Sequence, residues 1–416
     1  MPFNIAARVF SGACAVPLFV FFSAVVVRAQ TAIPVRQLER TVSSDTTVLM
    51  GLSAVRHLPN GSVLVNDPSK RQLILFDSTL ARHKVIADTS TNTPNSYGLQ
   101  PSTGGLIPYL GDSTLFIDNE SAAFLVIDPK GEFARVMAPT RASDLRYISS
   151  APFGMAGFDA NGRLIYKTQR RPVPTPFSMS SGATSTQFLS APDSAPIMRM
   201  DLDRRSVDTL GFLKIPFTKT ARVSGNGFIM NTSVMNPLPS GDEWTLLPDG
   251  TVAIVRAQDY HIDWLTADGK ITSSPKMPFD WKRITVEDKQ AIVDSVKKAE
   301  AERIARMPPL PPGSISIPRQ VFVIEPSELP DFYPPVRQGQ VRADPDGNVW
   351  ILPSTSSAAA GGGLTYDVVN REGIIIERVQ LPKGRTLAGF GPAGIVYMHH
   401  VKGPKAAAIE RAQVAR

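Results

Sequence analysis

Residues 52–88, LSAVRHLPNGSVLVNDPSKRQLILFDSTLARHKVIAD, read as one complete structural unit. Leu52 to Leu58 leads into Pro59-Asn60-Gly61. SVLVND (62–67) and QLILFD (72–77) follow, then a turn at Ser78-Thr79 and RHKVIAD (82–88). The runs alternate apolar with polar residues and favour Val, Ile, Leu and Phe, which suits half-buried strands. Asn-Gly supplies the left-handed backbone that a tight hairpin needs. Four such strands cannot bury both faces of their own sheet, so the unit must stack against others.

The unit recurs five times. GLIPYL (105–110), Gly111-Asp112, STLFID, FLVID, Pro129-Lys130-Gly131 and EFARVMA make the second. The third has FGMAGFD, Ala160-Asn161-Gly162, RLIYK and, after an insertion, PIMRMD and VDTLGFL. The fourth has EWTLL, Pro248-Asp249-Gly250, TVAIVR, YHIDWLT, Asp268-Gly269 and KITSSPKM. QVRA, Pro345-Asp346-Gly347, NVWIL, LTYDVV, Glu372-Gly373 and IIIERVQL make the fifth. The sixth stops short, with TLAGF, Pro392-Ala393-Gly394, IVYMHHV and AAAIERAQV and no fourth strand. IPVRQLERTV (33–42) is strand-like and has no partner in the first unit, so it can supply the missing edge. The expectation is an all-β, six-bladed β-propeller over residues 30–416. Its ring is closed by an N-terminal strand that completes the last blade, and a helical, Pro-rich insertion (279–338) lies between blades four and five.

The pattern resembles the NHL-type and TolB-type six-bladed propellers of exported bacterial proteins, over most of residues 32–412. Pro248-Asp249-Gly250 and Pro345-Asp346-Gly347 before an apolar strand, the latter with Val349-Trp350, carry the resemblance. It implies an architecture and no activity.

Strand direction sorts the loops onto two faces. The Gly-bearing turns share one face and are all short. The long segments 89–102, 168–195, 213–241, 279–338 and 354–363 belong to the other, where a binding surface is expected. Segment 168–195 includes Arg170-Arg171-Pro172 and a Ser-rich run. In the largest insertion Thr285 and Asp288 form a capping-box pattern, and 286–306 reads helical, with Ile292, Val296 and Ala299 on one stripe. A proline run at 308–312 ends it. The helix reads equally as a lid over the mouth or as a surface brace. Gly361-Gly362-Gly363 follows a poly-Ala stretch and reads as linker.

Residues 1–29 read as a secretory leader, with Arg8, an apolar run at 15–27 and cleavage expected after Ala29. The run is too short to span a bilayer comfortably. Export to the periplasm or the medium, as a monomer, is the expectation. The only cysteine of the chain, Cys14, lies in this leader, which leaves no disulfide or thiol chemistry for the rest. The 416 residues carry 44 basic and 37 acidic side chains, a net charge of +7. The bases are scattered, Lys297-Lys298 among acids being the densest pair, so no nucleic-acid partner is expected.

Loops between the second and third strands reach the long-loop face and offer Asp67, Asp118, Asn119, Lys167, Arg256, Asp259, His261 and His399 as ligand-binding candidates. Arg56 and Arg342 occupy equivalent first-strand positions and are candidates to hold an anion, ion pairing to an acid such as Asp344 being the plainer role. His399 and His400 point to opposite sides of a strand and cannot easily chelate one metal. No G-x-S-x-G elbow, G-x-G-x-x-G or phosphate-binding loop is present. The expected function is non-catalytic binding of a protein, peptide or glycan without a cofactor. The alternative is a lactonase-like, metal-dependent hydrolase or lyase, for which Asp67, Asp118 and Asn119 are the right type to hold one divalent cation such as calcium. Exposed Trp244, Tyr260, Trp264 and Trp281 would favour binding.

Overall fold

The Gly-bearing turns set the strand directions throughout the structure, a computed structural model. It describes Met1 and residues 33–89, 97–98, 101–148, 154–169, 177–179, 185–190, 192–225, 228–307, 321–356, 362–403 and 405–415. The leader expected at 1–29, apart from Met1, lies outside the described residues. So do Arg170-Arg171-Pro172, the proline run at 308–312 and Gly361. The chain divides into Met1–Ala32 and Ile33–Arg416, and only the second unit concerns the fold.

Seven of the turns close in the same way. The N–H of Gly61, Gly131, Gly162, Gly250, Gly269, Gly347 or Gly373 donates to the carbonyl three residues earlier, at 2.9–3.1 Å. These glycines have φ between +72° and +87°. Gly250 shows what the residue is for: a Cβ there would lie 2.7 Å from the Ala160 backbone nitrogen, on the turn of the preceding sheet.

The turns join strands into six antiparallel meanders in chain order. Sheet one comprises Ala54–His57, Val63–Asp67, Gln72–Phe76 and His83–Ala87. Sheet two comprises Ile107–Pro108, Thr114–Asp118, Ala123–Ile127 and Phe133–Met137. Sheet three comprises Gly157–Phe158, Leu164–Lys167, Ser194–Asp201 and Ser206–Lys214. Sheet four comprises Glu243–Leu246, Val252–Arg256, His261–Leu265 and Ile271–Ser273. Sheet five comprises Val341–Ala343, Val349–Ile351, Thr365–Val369 and Ile375–Gln380, and sheet six Arg385–Phe390, Ile395–Gly403 and Ala406–Val414.

The fourth strand of sheet six is Leu38–Ser43, antiparallel to Ala406–Val414, with Leu38 opposite Val414 and Ser43 opposite Glu410. The strand-like run at 33–42 is split in the structure. Val35–Arg36 lies parallel on the edge strand Ile375–Gln380 of sheet five, and the chain crosses to sheet six at Gln37. Gln37 accepts from the Ala415 N–H, and Pro34 from the Arg378 N–H, so both sides of the crossing are tied down.

The core lies between sheets. Leu64, Leu73, Phe116 and Leu125 join sheets one and two, and Leu115, Phe124, Tyr166 and Met200 join two and three. Ile165, Ile197, Trp244 and Ile254 join three and four; Val255, Ile262, Val341 and Val349 join four and five; Tyr366, Val368, Val396 and Met398 join five and six. A sixth cluster, with Val63, Ile74, Phe76, Tyr397 and Ile409, is shared by sheets one and six. The architecture is that of a β-propeller, mostly β with few helices.

The long insertions correct the loop reading. Phe177–Met179, Phe228–Ser233, Lys219–Gly225 and Ser185–Ser190 form a further antiparallel sheet, in that order. Its strands carry many polar residues, so the sequence gives little strand signal. The helix spans Val286–Ala305, and its capping box has both expected hydrogen bonds, Asp288 N–H to Thr285 Oγ1 at 3.1 Å and Thr285 N–H to Asp288 Oδ2 at 3.0 Å. Its buried stripe is shifted from the expected one. Lys289 and Val293 are buried and Ala299 is exposed. Lys289 Nζ donates to the Leu329 carbonyl (2.9 Å) and to Asp331 (2.7 Å), while Val293 packs with Ala221, Val234, Ile324 and Leu329. The helix therefore braces the further sheet and residues 321–331.

Ile409 is fully buried where sheets one and six meet. Ile409→Ala is expected to lower stability by about 2–5 kcal/mol in urea denaturation. Ile376→Ala, on an exposed position of sheet five, is expected to change it by under about 0.5 kcal/mol. Equal losses would contradict the shared core.

Candidate functional site

Three charged side chains interact through space where sheets three, four and five adjoin. Lys167 is the last residue of the second strand of sheet three, Glu243 the first residue of sheet four, and Arg342 the middle residue of the first strand of sheet five. Alternation explains the placement. Ile165 faces one inter-sheet core and Tyr166 another, so the next residue, Lys167, turns away from the Tyr166 side at the strand's end. By strand direction Lys167 and Glu243 both stand at the long-loop ends of their strands.

Lys167 is 5% exposed and Glu243 3% exposed. Among the described residues Lys167 Nζ makes no hydrogen bond or direct ion pair, and it interacts with Glu243 through space. Burial pushes the lysine's pKa down, and Glu243 opposes the shift. Burial pushes the Glu243 carboxyl up; Lys167, the Gly339 backbone N–H and Arg342 pull it back, while Asp242 adds to the rise. Arg342 Nη1 donates to the Gly339 and Val341 carbonyls, both at 2.9 Å. Its pKa is lowered by burial, against the pull of Tyr366 and Glu243. The Tyr366 hydroxyl, pushed up to about 12 by burial, donates to Gln340 Oε1 at 3.2 Å. Two cations thus act on one buried carboxylate through space, with no direct ion pair among the described residues. Buried charge held this way is costly to the fold and characteristic of functional sites.

Beside it lies a closed network. Asp242 accepts from Arg256 Nη1 (2.6 Å), Lys214 N (2.9 Å) and Ala257 N (3.2 Å). Arg256 Nε also donates to Asp263 at 2.7 Å, and Ser273 Oγ to Asp263 at 2.5 Å. His261 bridges Asp259 (2.7 Å) and Asp263 (3.2 Å), and Lys276 pairs with Asp259 at 3.3 Å. Burial opposes ionisation of Asp263, but Ser273 and Arg256 hold its carboxyl below the usual range. Arg256, Asp259 and His261 are therefore committed to one another.

The remaining candidates are dispersed. Asp67 is fully buried and accepts from the N–H groups of Met50 (2.7 Å), Gly51 (3.2 Å), Ser69 (3.0 Å) and Lys70 (3.0 Å). Asp118 folds its own turn, taking the Glu120 and Ser121 N–H groups and the Ser121 hydroxyl. Asn119 lines a cleft of about 510 Å³ with Thr103, Ser143 and Arg146. Arg56 donates to Thr114 Oγ1 at 2.8 Å and to the Ser113 carbonyl at 3.2 Å, tying sheet one to sheet two, and burial brings its pKa down to about 10. His399 Nε2 is buried with no hydrogen-bond partner among the described residues, and His400 pairs with Glu410 at 2.8 Å. Asp344 accepts from Asn348 and from Trp350 Nε1 instead of from Arg342. Trp244, Tyr260 and Trp264 are core residues, and only Trp281, 40% exposed, is available to a ligand. Among the described residues no three His, Cys, Asp or Glu side chains group as metal ligands.

The sequence reading placed Lys167 and Arg342 among its candidates and missed Glu243. The signal was present: an acid opens a strand whose next residue is a core tryptophan.

No protein-family model and no curated protein matches the chain. Among solved structures it is similar to a member of the DUF4221 family from Bacteroides vulgatus, with 10% identity, a TM-score of 0.46, and 91% of this chain and 97% of that one covered. It is similar to virginiamycin B lyase from Staphylococcus aureus, with 12% identity, a TM-score of 0.39, and coverage of 90% and 99%. It is also similar to a gluconolactonase from Xanthomonas campestris, with 9% identity, a TM-score of 0.36, and coverage of 90% and 98%.

The raised carboxyl of Glu243 has a definite sign in stability. The folded state binds the proton more tightly than the unfolded chain, so stability falls as pH rises from the unfolded value, about 4.3, through the folded one. Glu243→Gln is expected to raise the urea midpoint at neutral pH, with a gain that fades as pH is lowered through about 4. Asp242→Ala, which leaves buried donors unpaired, is expected to cost about 3–5 kcal/mol by the same measurement.

Proposed function

We infer that the protein is an exported, monomeric, six-bladed β-propeller of the NHL- or TolB-like kind that binds a protein, peptide or glycan through its long-loop side, without catalysis. The blade count is supported by six meanders in chain order and by the core shared between the first and last. The observation that carries the binding reading is Lys167 and Glu243, both buried, and the half-buried Arg342, charges on three adjoining sheets that form no direct ion pair among the described residues. Such a set gains a partner when a ligand brings charge and hydrogen-bond groups of its own.

The lactonase-like alternative needs a divalent cation. Its ligand candidates are already engaged, Asp67 by four backbone N–H groups and Asp118 by two and a hydroxyl, which leaves them poorly placed to converge on an ion.

The face is tested by array binding of the purified chain to peptides and glycans. Trp281→Ala and Asp259→Lys, on the long-loop side, are expected to weaken any ligand found at least threefold. Asn60→Lys and Lys130→Glu, in the short turns, are expected to leave it unchanged, and the reverse pattern would place binding on the other face. Chelation with EDTA is expected to leave the melting midpoint where it was. A drop restored by calcium would replace the binding reading with the metal-dependent one.

A further inference from the structure

We propose that the cleft between the 118–122 turn of sheet two and the 141–146 link to sheet three binds a neutral saccharide. Asn119, Ser143 and Arg146 meet its hydroxyls, and Leu145 with two alanines meets its C–H face. This ligand class deepens the binding reading and rests on it, since both walls of the cleft stand on the long-loop side.

The cleft holds about 510 Å³, within the roughly 300–1,000 Å³ of small-molecule sites. Asp118 fixes one wall by taking the Glu120 and Ser121 N–H groups, with Asn119 exposed at the cleft. The other wall carries Arg146. Its guanidinium lies over the Tyr147 ring, 4.8 Å from the centroid, and Nη2 donates to the Tyr147 hydroxyl at 2.9 Å. That hydroxyl in turn donates to the Gln169 carbonyl at 2.8 Å. The guanidinium is thus held in place before a ligand arrives, which lowers the cost of binding. Leu145, 4% exposed, adds apolar lining, and Ala122 and Ala142 contribute single methyl groups that leave the space open.

Donors and acceptors decide the ligand. Arg146 Nε and Nη1 make no hydrogen bond among the described residues, and neither does the Asn119 amide. Ser143 Oγ donates to Asp144 at 3.4 Å and keeps its acceptor lone pairs. Guanidinium and amide donors therefore stand beside amide and hydroxyl acceptors. A carboxylate or phosphate only accepts and an ammonium only donates, so either leaves part of the set unpaired. A hydroxyl does both, and adjacent hydroxyls on an apolar ring frame are the chemistry of a sugar. Charge points the same way. One wall carries Asp118 and Glu120 and the other Arg146, while Asp144 is spent on Arg141 (3.4 Å) and the Tyr166 hydroxyl (2.6 Å). Two carboxylates against one unpaired guanidinium do not favour an anion. A peptide added as a strand needs a sheet edge, and among the described residues no strand residue lines the cleft.

The test puts the purified full chain on arrays of neutral oligosaccharides (glucans, mannans, galactans and chitin oligomers), acidic oligosaccharides and peptides. The neutral oligosaccharide that binds best is then titrated by calorimetry. Neutral oligosaccharides are expected to bind, with an affinity that changes little on adding salt. Asn119→Ala and Arg146→Met are each expected to weaken that ligand about tenfold. Ala142→Trp, which fills the cleft, is expected to abolish measurable binding. All three positions are exposed, so the variants are expected to fold, and circular dichroism of each checks this. Binding confined to acidic oligosaccharides or to peptides overturns the ligand class. Neutral-saccharide binding that survives Arg146→Met and Ala142→Trp overturns the cleft. In either case a ligand weakened by Trp281→Ala leaves the long-loop reading standing, whereas no binding on any array removes both.

Discussion

The backbone pairing of Leu38–Ser43 with Ala406–Val414 is the constraint on which the other sheets depend. The Ile409 N–H donates to Ser44 Oγ at 3.2 Å, and the Ser44 N–H to the Ile409 carbonyl at 3.0 Å, across 365 positions of sequence. Joining ends so distant costs entropy, but the cost grows only logarithmically, by about 0.6 kcal/mol for each doubling of length. The gain is a shared core. Val63, Ile74 and Phe76 of sheet one meet Tyr397 and Ile409 of sheet six, so neither terminal sheet exposes an apolar face. Each sheet is too small to be stable alone, and every one has apolar neighbours on both sides.

Interior carboxylates follow two patterns. Asp67, Asp159 and Asp344 accept from backbone N–H groups of turns and segments that the sheets themselves leave unpaired. These acids stabilise turn geometry, and their chemistry is used up in doing so. Asp242 and Asp263 hold Arg256 in the same committed way. Glu243 is different, since cations surround it without contact and burial raises its pKa. The contrast separates hydrogen-bonded from unpaired interior charge more sharply than residue type does.

The insertions make a second layer from pieces far apart in sequence. Residues from 221, 234, 293, 324 and 329 share one small core, so the helix and the further sheet stabilise each other. Lys289 anchors the helix through a carbonyl and a carboxylate, an arrangement in which the lysine stem packs while its ammonium stays bonded. Exposed aromatics gather in the same material: Trp281 and Phe332 stack edge to face with ring centroids 6.2 Å apart, and both are about two-fifths exposed.

The sequence by itself determined the strand periodicity, the glycine turns, the capping box at Thr285 and the need for the run at 33–42 to complete the last sheet. These are local properties, fixed by backbone sterics and by alternation along a few residues. It could not show that 33–42 divides between two sheets at Gln37, because the division depends on which edges are vacant in space. Nor could it show the strands at 185–190 and 219–225, whose polar residues carry little pattern. Residue type made Lys167 and Arg342 candidates alongside Asp67 and Asp118, with nothing to rank them. Only the tertiary structure decided that, by placing Asp67 under four backbone N–H groups and leaving Lys167 buried, without a hydrogen bond among the described residues and within electrostatic reach of Glu243. Burial and the identity of neighbours set the free energy of a charge, and both are fixed by contacts between sheets that no local stretch of sequence contains.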